Sequence, residues 1–157
     1  MNLLILLAAG SGSRMQQAVK DKTLVQLNGT PVFLHALKTF VGSKLINHAI
    51  IVYRDTDQKE LLSQSIDPDL AQELDLSYVK GGDSRQKSVV NALRSAPPET
   101  KLVFVHDGAR PLVSLRSIEA LHQAVTVDAA AALAHPVSDT IKRLPNKTGL
   151  KQIKPED

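Results

Sequence analysis

Residues 3–9 read Leu-Leu-Ile-Leu-Leu-Ala-Ala, an unbroken apolar run of the kind found in a strand covered on both faces. Gly10 and Gly12 cut it off at strand length. Asn28-Gly29 marks a turn, and Thr30-Pro31 then reads as the cap and first residue of a helix carrying Phe33, Leu34, Leu37 and Phe40 at helical spacing. A second strand is expected over residues 49–53, a helix over 60–66 and a short strand over 76–79. After Gly81-Gly82, Asp83 is a plausible cap for a helix through Ser88, Val89, Val90, Ala92 and Leu93, which Pro97-Pro98 ends. Residues 102–105 form a third buried strand, stopped by His106-Asp107-Gly108. Ser114 is the expected cap of a helix with Ile118, Leu121 and Val125, and residues 129–137 are apolar, built of small side chains and strand-like at their end.

Strands alternating with helices predict an α/β fold, with a mostly parallel sheet and helices on both faces. The length of 157 residues fits one domain with a continuous core, and no internal repeat, low-complexity tract or linker interrupts it. In open sheets of this class ligands bind beyond the carboxyl ends of the strands. Three segments of unusual chemistry fall at such ends: residues 8–22, 80–88 and 106–111.

The first holds Ala8-Ala9-Gly10-Ser11-Gly12-Ser13-Arg14-Met15, followed by Lys20 and Lys22. Glycines after a buried strand let backbone N–H groups approach an anion, and the cations favour a polyphosphate. Met15 stands where a dinucleotide fingerprint needs its last glycine, and no Gly-Lys-Ser/Thr follows. In the second, Gly81-Gly82-Asp83-Ser84-Arg85-Gln86-Lys87-Ser88, paired glycines before a capped helix would let backbone groups read the edge of a base or ribose. In the third, His106-Asp107-Gly108-Ala109-Arg110-Pro111, a carboxylate at a strand tip suits Mg²⁺, which takes few carboxylates plus phosphate oxygens. Arg110 can grip a phosphate in bidentate fashion. Each segment also has a plain reading: a strand-to-helix turn with a surface arginine, a turn before an amphipathic helix, an aspartate cap with an arginine ion pair. Ser138-Asp139-Thr140-Ile141-Lys142-Arg143 adds a hydroxyl and two more cations.

Composition narrows the field. Apolar residues make up 43% and charged residues 22%, as in a folded globular chain, and the absence of cysteine removes disulfides, thiolate metal sites and Cys nucleophiles. With three Phe, two Tyr and no Trp, the core is expected to be aliphatic, and the composition argues against a stacking platform for single-stranded nucleic acid. A net charge of +3 without a basic stripe is weak evidence for nucleic acid and suits a small anionic ligand equally well, so the position of the charges must decide. The run at 3–9 is too short to cross a bilayer and lacks a basic leader, so a cytoplasmic protein is expected. The five histidines show no metal spacing; His35, His48, His122 and His135 read as structural. No Ser/His/Asp order or close carboxylate pair stands out for hydrolysis.

Taken in order, LAAGSGSRM, KT, GGDSRQKSV, HDGARP and PVSDTIKR resemble the 2-C-methyl-D-erythritol 4-phosphate cytidylyltransferase family of the non-mevalonate isoprenoid pathway, from Leu6 to about Arg143. The resemblance implies a Rossmann-like nucleotidyltransferase domain over residues 1–157, working as a homodimer with CTP and Mg²⁺. It places Ala8, Ala9, Gly10, Gly12 and Arg14 around the triphosphate, Arg14 with a catalytic role. Lys22 best fills the family's catalytic lysine, with Lys20 the alternative, because Lys20-Asp21-Lys22-Thr23 replaces the usual Pro-Lys-Gln. Gly82, Asp83, Arg85 and Ser88 correspond to cytosine and ribose contacts. Asp107 corresponds to the metal-linked aspartate, Gly108 to backbone near the ribose where the family usually has alanine, and Arg110 and Thr140 to the methylerythritol phosphate. Family members continue well past the position of Asp157, so the domain is expected to be incomplete at its C-terminus. Competing expectations are a ribitol phosphate cytidylyltransferase, a nucleotide-binding module without turnover, and a dinucleotide oxidoreductase. The last is disfavoured by Met15 and by Tyr53-Arg54 standing before Asp55.

Overall fold

The computed structural model describes residues 1–10 and 21–136. The chain runs through β1 (Asn2–Leu7), β2 (Gln26–Leu27), β3 (Thr30–Pro31), α1 (Val32–Gly42), β4 (His48–Tyr53), α2 (Thr56–Gln64), α3 (Pro68–Glu73), β5 (Asp75–Lys80), α4 (Arg85–Arg94), β6 (Leu102–Asp107) and α5 (Leu115–Asp128). β1, β4, β5 and β6 form one sheet in the order β5-β4-β1-β6, every pairing parallel.

Alternation along the central strands divides the core in two. Leu4 and Leu6 of β1 and Ala49 and Ile51 of β4 face a large cluster with Phe33 and Leu37 of α1, Leu62 of α2, Leu70 of α3 and Ile118 of α5. Leu3, Ile5, Ile50 and Val52 face the opposite side, where Ala92 of α4 covers them. Because both faces are covered, Leu3, Leu4, Ile5 and Leu6 are all fully buried, which is why β1 reads as a continuous apolar run. Phe104 of β6 meets Phe40 of α1 edge to face, with ring centroids 5.6 Å apart.

Successive connections first carry the chain outward from β1 to β4 to β5. The connection containing α4 then brings it back across the sheet to β6, on the other side of β1. Strand order therefore reverses between β1 and β6, the position where folds of this kind open a crevice. Leu7 pairs with Val52 and with Asp107, and Val52 with Val79, so all four carboxyl ends finish in one row.

Several expected boundaries move. Thr30-Pro31 pairs with Gln26–Leu27 across an Asn28-Gly29 turn whose residues both have positive φ, so α1 begins at Val32 with Pro31 as its cap. Ser84, not Asp83, caps α4 and accepts from the Lys87 N–H at 3.1 Å. The expected helix at 60–66 starts earlier, at Thr56, and α3 follows it unforeseen. β6 runs on through Asp107 where the sequence reading stopped it at Val105, and as the edge strand of the sheet it is only part-buried, with Val105 41% exposed, in place of the buried strand expected. Residues 130–136 carry no regular structure: Ala129 closes α5 in a left-handed conformation, and the strand expected there does not form among the described residues.

Ile50, fully buried between β1 and α4, is a direct check on this core. Ile50→Ala is expected to lower unfolding free energy by about 2–5 kcal/mol, read as a fall in the urea midpoint. Leu112, 89% exposed, is the control, and Leu112→Ala is expected to change stability by less than about 0.5 kcal/mol.

Candidate functional site

The row of strand ends assembles three of the sequence segments. The Gly108 N–H donates to the Leu7 carbonyl at 2.8 Å and the Ala8 N–H to the Val52 carbonyl at 2.9 Å, holding the exits of β1, β4 and β6 together. After β5, the Gly81 N–H donates to the Tyr53 carbonyl at 2.7 Å. A Cβ at Gly81 would lie 2.7 Å from the Ala9 Cβ and 3.0 Å from the Ser88 Oγ, so glycine is what lets the 81–88 segment seat against the end of β1. Gly10, by contrast, has open space around it.

Ser88, at the bottom of this contact, is buried, and its Oγ accepts the Gly82 N–H at 3.1 Å. The Gly82 N–H is thus committed within the turn. Asp83 is exposed and pairs with Lys87 one turn along, at 2.7 Å. Arg85, the first residue of α4, reaches over the sheet to Asp107, its Nε 3.0 Å from Oδ1. Arg110 binds the other oxygen at 3.1 Å, so the Asp107 carboxylate sits between two guanidinium groups. The turn that presents Arg110 is fixed from within: its N–H donates to the Asp107 carbonyl at 3.0 Å, and the His106 Nε2–H donates to the Arg110 carbonyl at 2.9 Å.

These ion pairs resemble the plain reading of the third segment, but their energetics leave room for a ligand. The Arg85 and Arg110 side chains are 63% and 77% exposed, and exposed pairs contribute only about 0–1 kcal/mol. A phosphate can take a guanidinium from Asp107 at small cost. As a metal site, Asp107 offers a single carboxylate, and no cluster of three metal-binding side chains occurs among the described residues. That donor set fits a magnesium ion carried in on phosphate oxygens and does not fit a cation caged by protein.

Lys22 is placed from its neighbours. The Asp21 Oδ1 accepts from both the Thr23 N–H at 3.0 Å and the Thr23 hydroxyl at 2.6 Å, an Asx turn with Lys22 at its corner. Thr23 is buried, its carbonyl accepts from the Phe33 N–H, and its methyl lies 3.6 Å from where a Gly108 Cβ would stand. Lys22 therefore borders the β1–β6 crevice. Gly12, Arg14, Lys20 and Thr140 lie outside the described residues.

Sequence reading missed a buried polar group beneath this edge. Gln58, 1% exposed, donates from Nε2 to the Ala8 carbonyl at 2.9 Å and to the Asp21 Oδ2 at 2.5 Å, and accepts the Arg54 N–H at 2.6 Å. Its own N–H is capped by Asp55, so Asp55-x-x-Gln58 was the available signal, a helix-start pattern. The Arg54 guanidinium, hydrogen-bonded to Asp55 and facing Asp21, is held above its ordinary range despite partial burial and stays a fixed cation.

A second missed constellation lies at the other end of the sheet. His48 Nδ1 is 2.8 Å from Asp75 Oδ2 and its Nε2 is 2.8 Å from Ser77 Oγ, an Asp-His-Ser relay in outline. It satisfies both ring nitrogens of a buried histidine at the amino ends of β4 and β5, in keeping with a structural His48. A cleft of about 1040 Å³ runs along the open edge of β6 toward Asp107, Arg85 and Arg110, and a smaller one of about 360 Å³ lies beside Asp21, Arg54 and Gln58. None of the relay residues lines either cleft.

Comparison with known proteins agrees with this architecture. The family model described as IspD, 2-C-methyl-D-erythritol 4-phosphate cytidylyltransferase, matches residues 2–154. Enzymes of that name from Streptomyces avermitilis and Prochlorococcus marinus are each 36% identical, over 87% and 92% of this chain and 55% and 63% of their own lengths. The chain thus spans a little over half the length of these curated relatives. Among solved structures, the 4-diphosphocytidyl-2C-methyl-D-erythritol synthase of Anaerococcus prevotii superposes with a TM-score of 0.65 at 26% identity, over 81% of this chain and 52% of the other. The bifunctional IspDF of Campylobacter jejuni superposes with a TM-score of 0.63 at 25% identity, over 79% and 30%. With its family model covering nearly every residue and its parallel sheet shared with these structures, the chain belongs to the 2-C-methyl-D-erythritol 4-phosphate cytidylyltransferase (IspD) family.

Proposed function

We propose that this chain carries the nucleotide-binding part of a cytidylyltransferase that moves CMP from CTP to 2-C-methyl-D-erythritol 4-phosphate and releases pyrophosphate. The observation that carries the reading is the meeting of three strand-end segments at the β1–β6 crevice, where Arg85 and Arg110 flank one carboxylate and Lys22 stands alongside. Family membership supplies the substrates; the crevice supplies a place where two anions can meet.

The chemistry follows from charge. A phosphate monoester is largely dianionic at neutral pH, because its second pKa is roughly 6, so its oxygen can attack the α-phosphorus of CTP in line without a general base. One P–O bond forms to the α-phosphorus as the bond to the β-phosphate oxygen breaks, and pyrophosphate leaves. The barrier lies in bringing two anions together and in the charge that spreads over the transition state, which Arg14 and Lys22 are assigned to stabilise. Ala8, Ala9, Gly10 and Gly12 are assigned to the triphosphate, and Gly10 has open space around it. Gly82, Asp83, Arg85, Ser88 and Gly108 are assigned to the nucleoside, and Arg110 and Thr140 to the polyol phosphate. Asp107 would hold Mg²⁺, which when bound neutralises phosphate charge. The same reading carries a homodimer, which rests on the resemblance, and a cytoplasmic location, which rests on the short apolar run at 3–9 without a basic leader. Among the described residues no helix is long and apolar enough to cross a membrane.

Calorimetric titration of the chain with CTP is expected to give saturable binding in magnesium that weakens at least tenfold in excess chelator; equal heats with and without the metal contradict the assignment of Asp107. In a chain extended to the length of its relatives, Lys22→Ala and Arg14→Ala are each expected to slow pyrophosphate release about a hundredfold or more, from about 3 kcal/mol of lost charge stabilisation. Losses below threefold at both positions remove the mechanism. Offering ribitol phosphate alongside methylerythritol phosphate in that assay identifies the acceptor. Arg110→Ala is expected to leave the melting temperature within about a degree or two, as for an exposed ion pair, while raising KM for the polyol phosphate and not for CTP.

A further inference from the structure

Among the described residues, Ala8 and Asp21 are the nearest hydrogen-bonded residues on either side of the glycine-rich segment: Ala8 leaves β1, and Asp21 opens the turn that presents Lys22. One side chain joins them. Both hydrogens of the Gln58 amide are spent, one on the Ala8 carbonyl and one on the Asp21 carboxylate, while its oxygen takes the Arg54 N–H. We infer that Gln58 is a clasp that fixes both ends of this segment and so sets the position of Lys22 at the crevice, a positioning role that rests on the nucleotide reading above only for its consequence in binding.

Three features argue for a clasp over a merely satisfied core amide. Gln58 is 1% exposed and its bond to the Ala8 carbonyl is buried, so loss of that partner is not made good by solvent. The Asp21 carboxylate is spent entirely on alignment: one oxygen closes the turn onto Thr23, the other receives Gln58 and, at 3.4 Å, Arg54 Nη1. And Gln58 is itself anchored, at the start of α2, by Asp55, which caps its N–H and binds Arg54 Nε. The path from rigid strand to Lys22 thus runs Ala8, Gln58, Asp21, Thr23, with no exposed link except the lysine's own turn.

Gln58→Glu tests this with little change of volume: it replaces the donating nitrogen by an oxygen that faces a carbonyl and a carboxylate. Amide exchange by NMR on the chain as it stands is expected to quicken at Thr23 about tenfold or more while Ile50 and Ile51 in β4 keep their protection. The exchanged pair Asp21→Asn with Gln58→Glu returns a donor to the contact, now from residue 21, and is expected to restore slow exchange at Thr23. Unchanged Thr23 exchange in Gln58→Glu, or no recovery in the exchanged pair, overturns the clasp. Should Gln58→Glu fail to fold, Gln58→Met removes both donors while leaving the Asp21–Thr23 bonds in place, and the same amides decide. Titration with CTP and magnesium gives the functional arm: affinity is expected to fall about tenfold in Gln58→Glu and to recover in part in the exchanged pair, which re-pairs residue 21 but leaves the Ala8 carbonyl facing a carboxylate oxygen. Quickened Thr23 exchange with full affinity overturns the positioning role. A wild-type chain that ignores CTP defeats the nucleotide reading instead, and the exchange rates then judge the clasp alone.

Discussion

Burial of β1 on both faces and along both edges is the constraint from which the rest of the structure follows. A strand of Leu3-Leu4-Ile5-Leu6 has no polar side to give to water, so it must lie between two sheet neighbours with helices above and below. A chain that has already gone outward to β4 and β5 can supply the second neighbour only by crossing back, and α4 makes that crossing on the opposite face. The reversal sets the exits of β1 and β6 side by side at the shared row of carboxyl ends, where folds of this kind open a crevice. The crevice is thus a by-product of satisfying one apolar strand, and the polar segments at 8–10, 81–88 and 107–110 are where the chain can afford chemistry.

Two electrostatic regimes meet at that edge. Above it, the Asp107 pairs with Arg85 and Arg110 are exposed and weak, so either partner can be exchanged at small cost. Below it, Asp21, Gln58 and the backbone of Ala8 form a buried set in which each donor is spent on a named acceptor. Buried networks of this kind hold geometry because a broken link cannot be repaired by water. Arg54 sits between the two regimes, partly exposed yet bound to both Asp55 and Asp21. A site that binds polyanions needs both kinds, mobile cations at the mouth and a rigid floor that keeps them in register.

Most of the fold was legible in the sequence because the informative patterns were local. The apolar runs of β1, β4 and β6, the Asn28-Gly29 turn and the Ser114 cap all depend on neighbours within a few residues. Where two caps stood side by side, as at Asp83-Ser84, composition could not choose, since either side chain can accept from the first turn and backbone register decides. α2 began earlier than expected because its first turn buries Gln58 in place of an apolar residue, which hides the helical stripe. The small apolar residues after Ala129 have strand-like composition without a partner strand beside them among the described residues. The site divides the same way. Asp107, Arg85 and Arg110 were readable as motif residues at strand ends, and the structure brings them together. Gln58 was not, because its two key partners lie 50 and 37 positions away and nothing nearby announces them.

The relay of Asp75, His48 and Ser77 shows why position outranks pattern in such a reading. Its distances match those of a hydrolytic relay as closely as the Asp107 pairs match a phosphate site. A relay needs a substrate cavity beside its hydroxyl and donors aimed at the developing oxyanion. Ser77 instead lies within β5 at the amino-terminal half of the sheet, and neither cleft described here reaches it. The relay is what a buried histidine requires where two strands begin, since both ring nitrogens must find partners away from water. Asp107 makes no better hydrogen bonds than Asp75, but it makes them where the strand order reverses, between two exposed guanidinium groups.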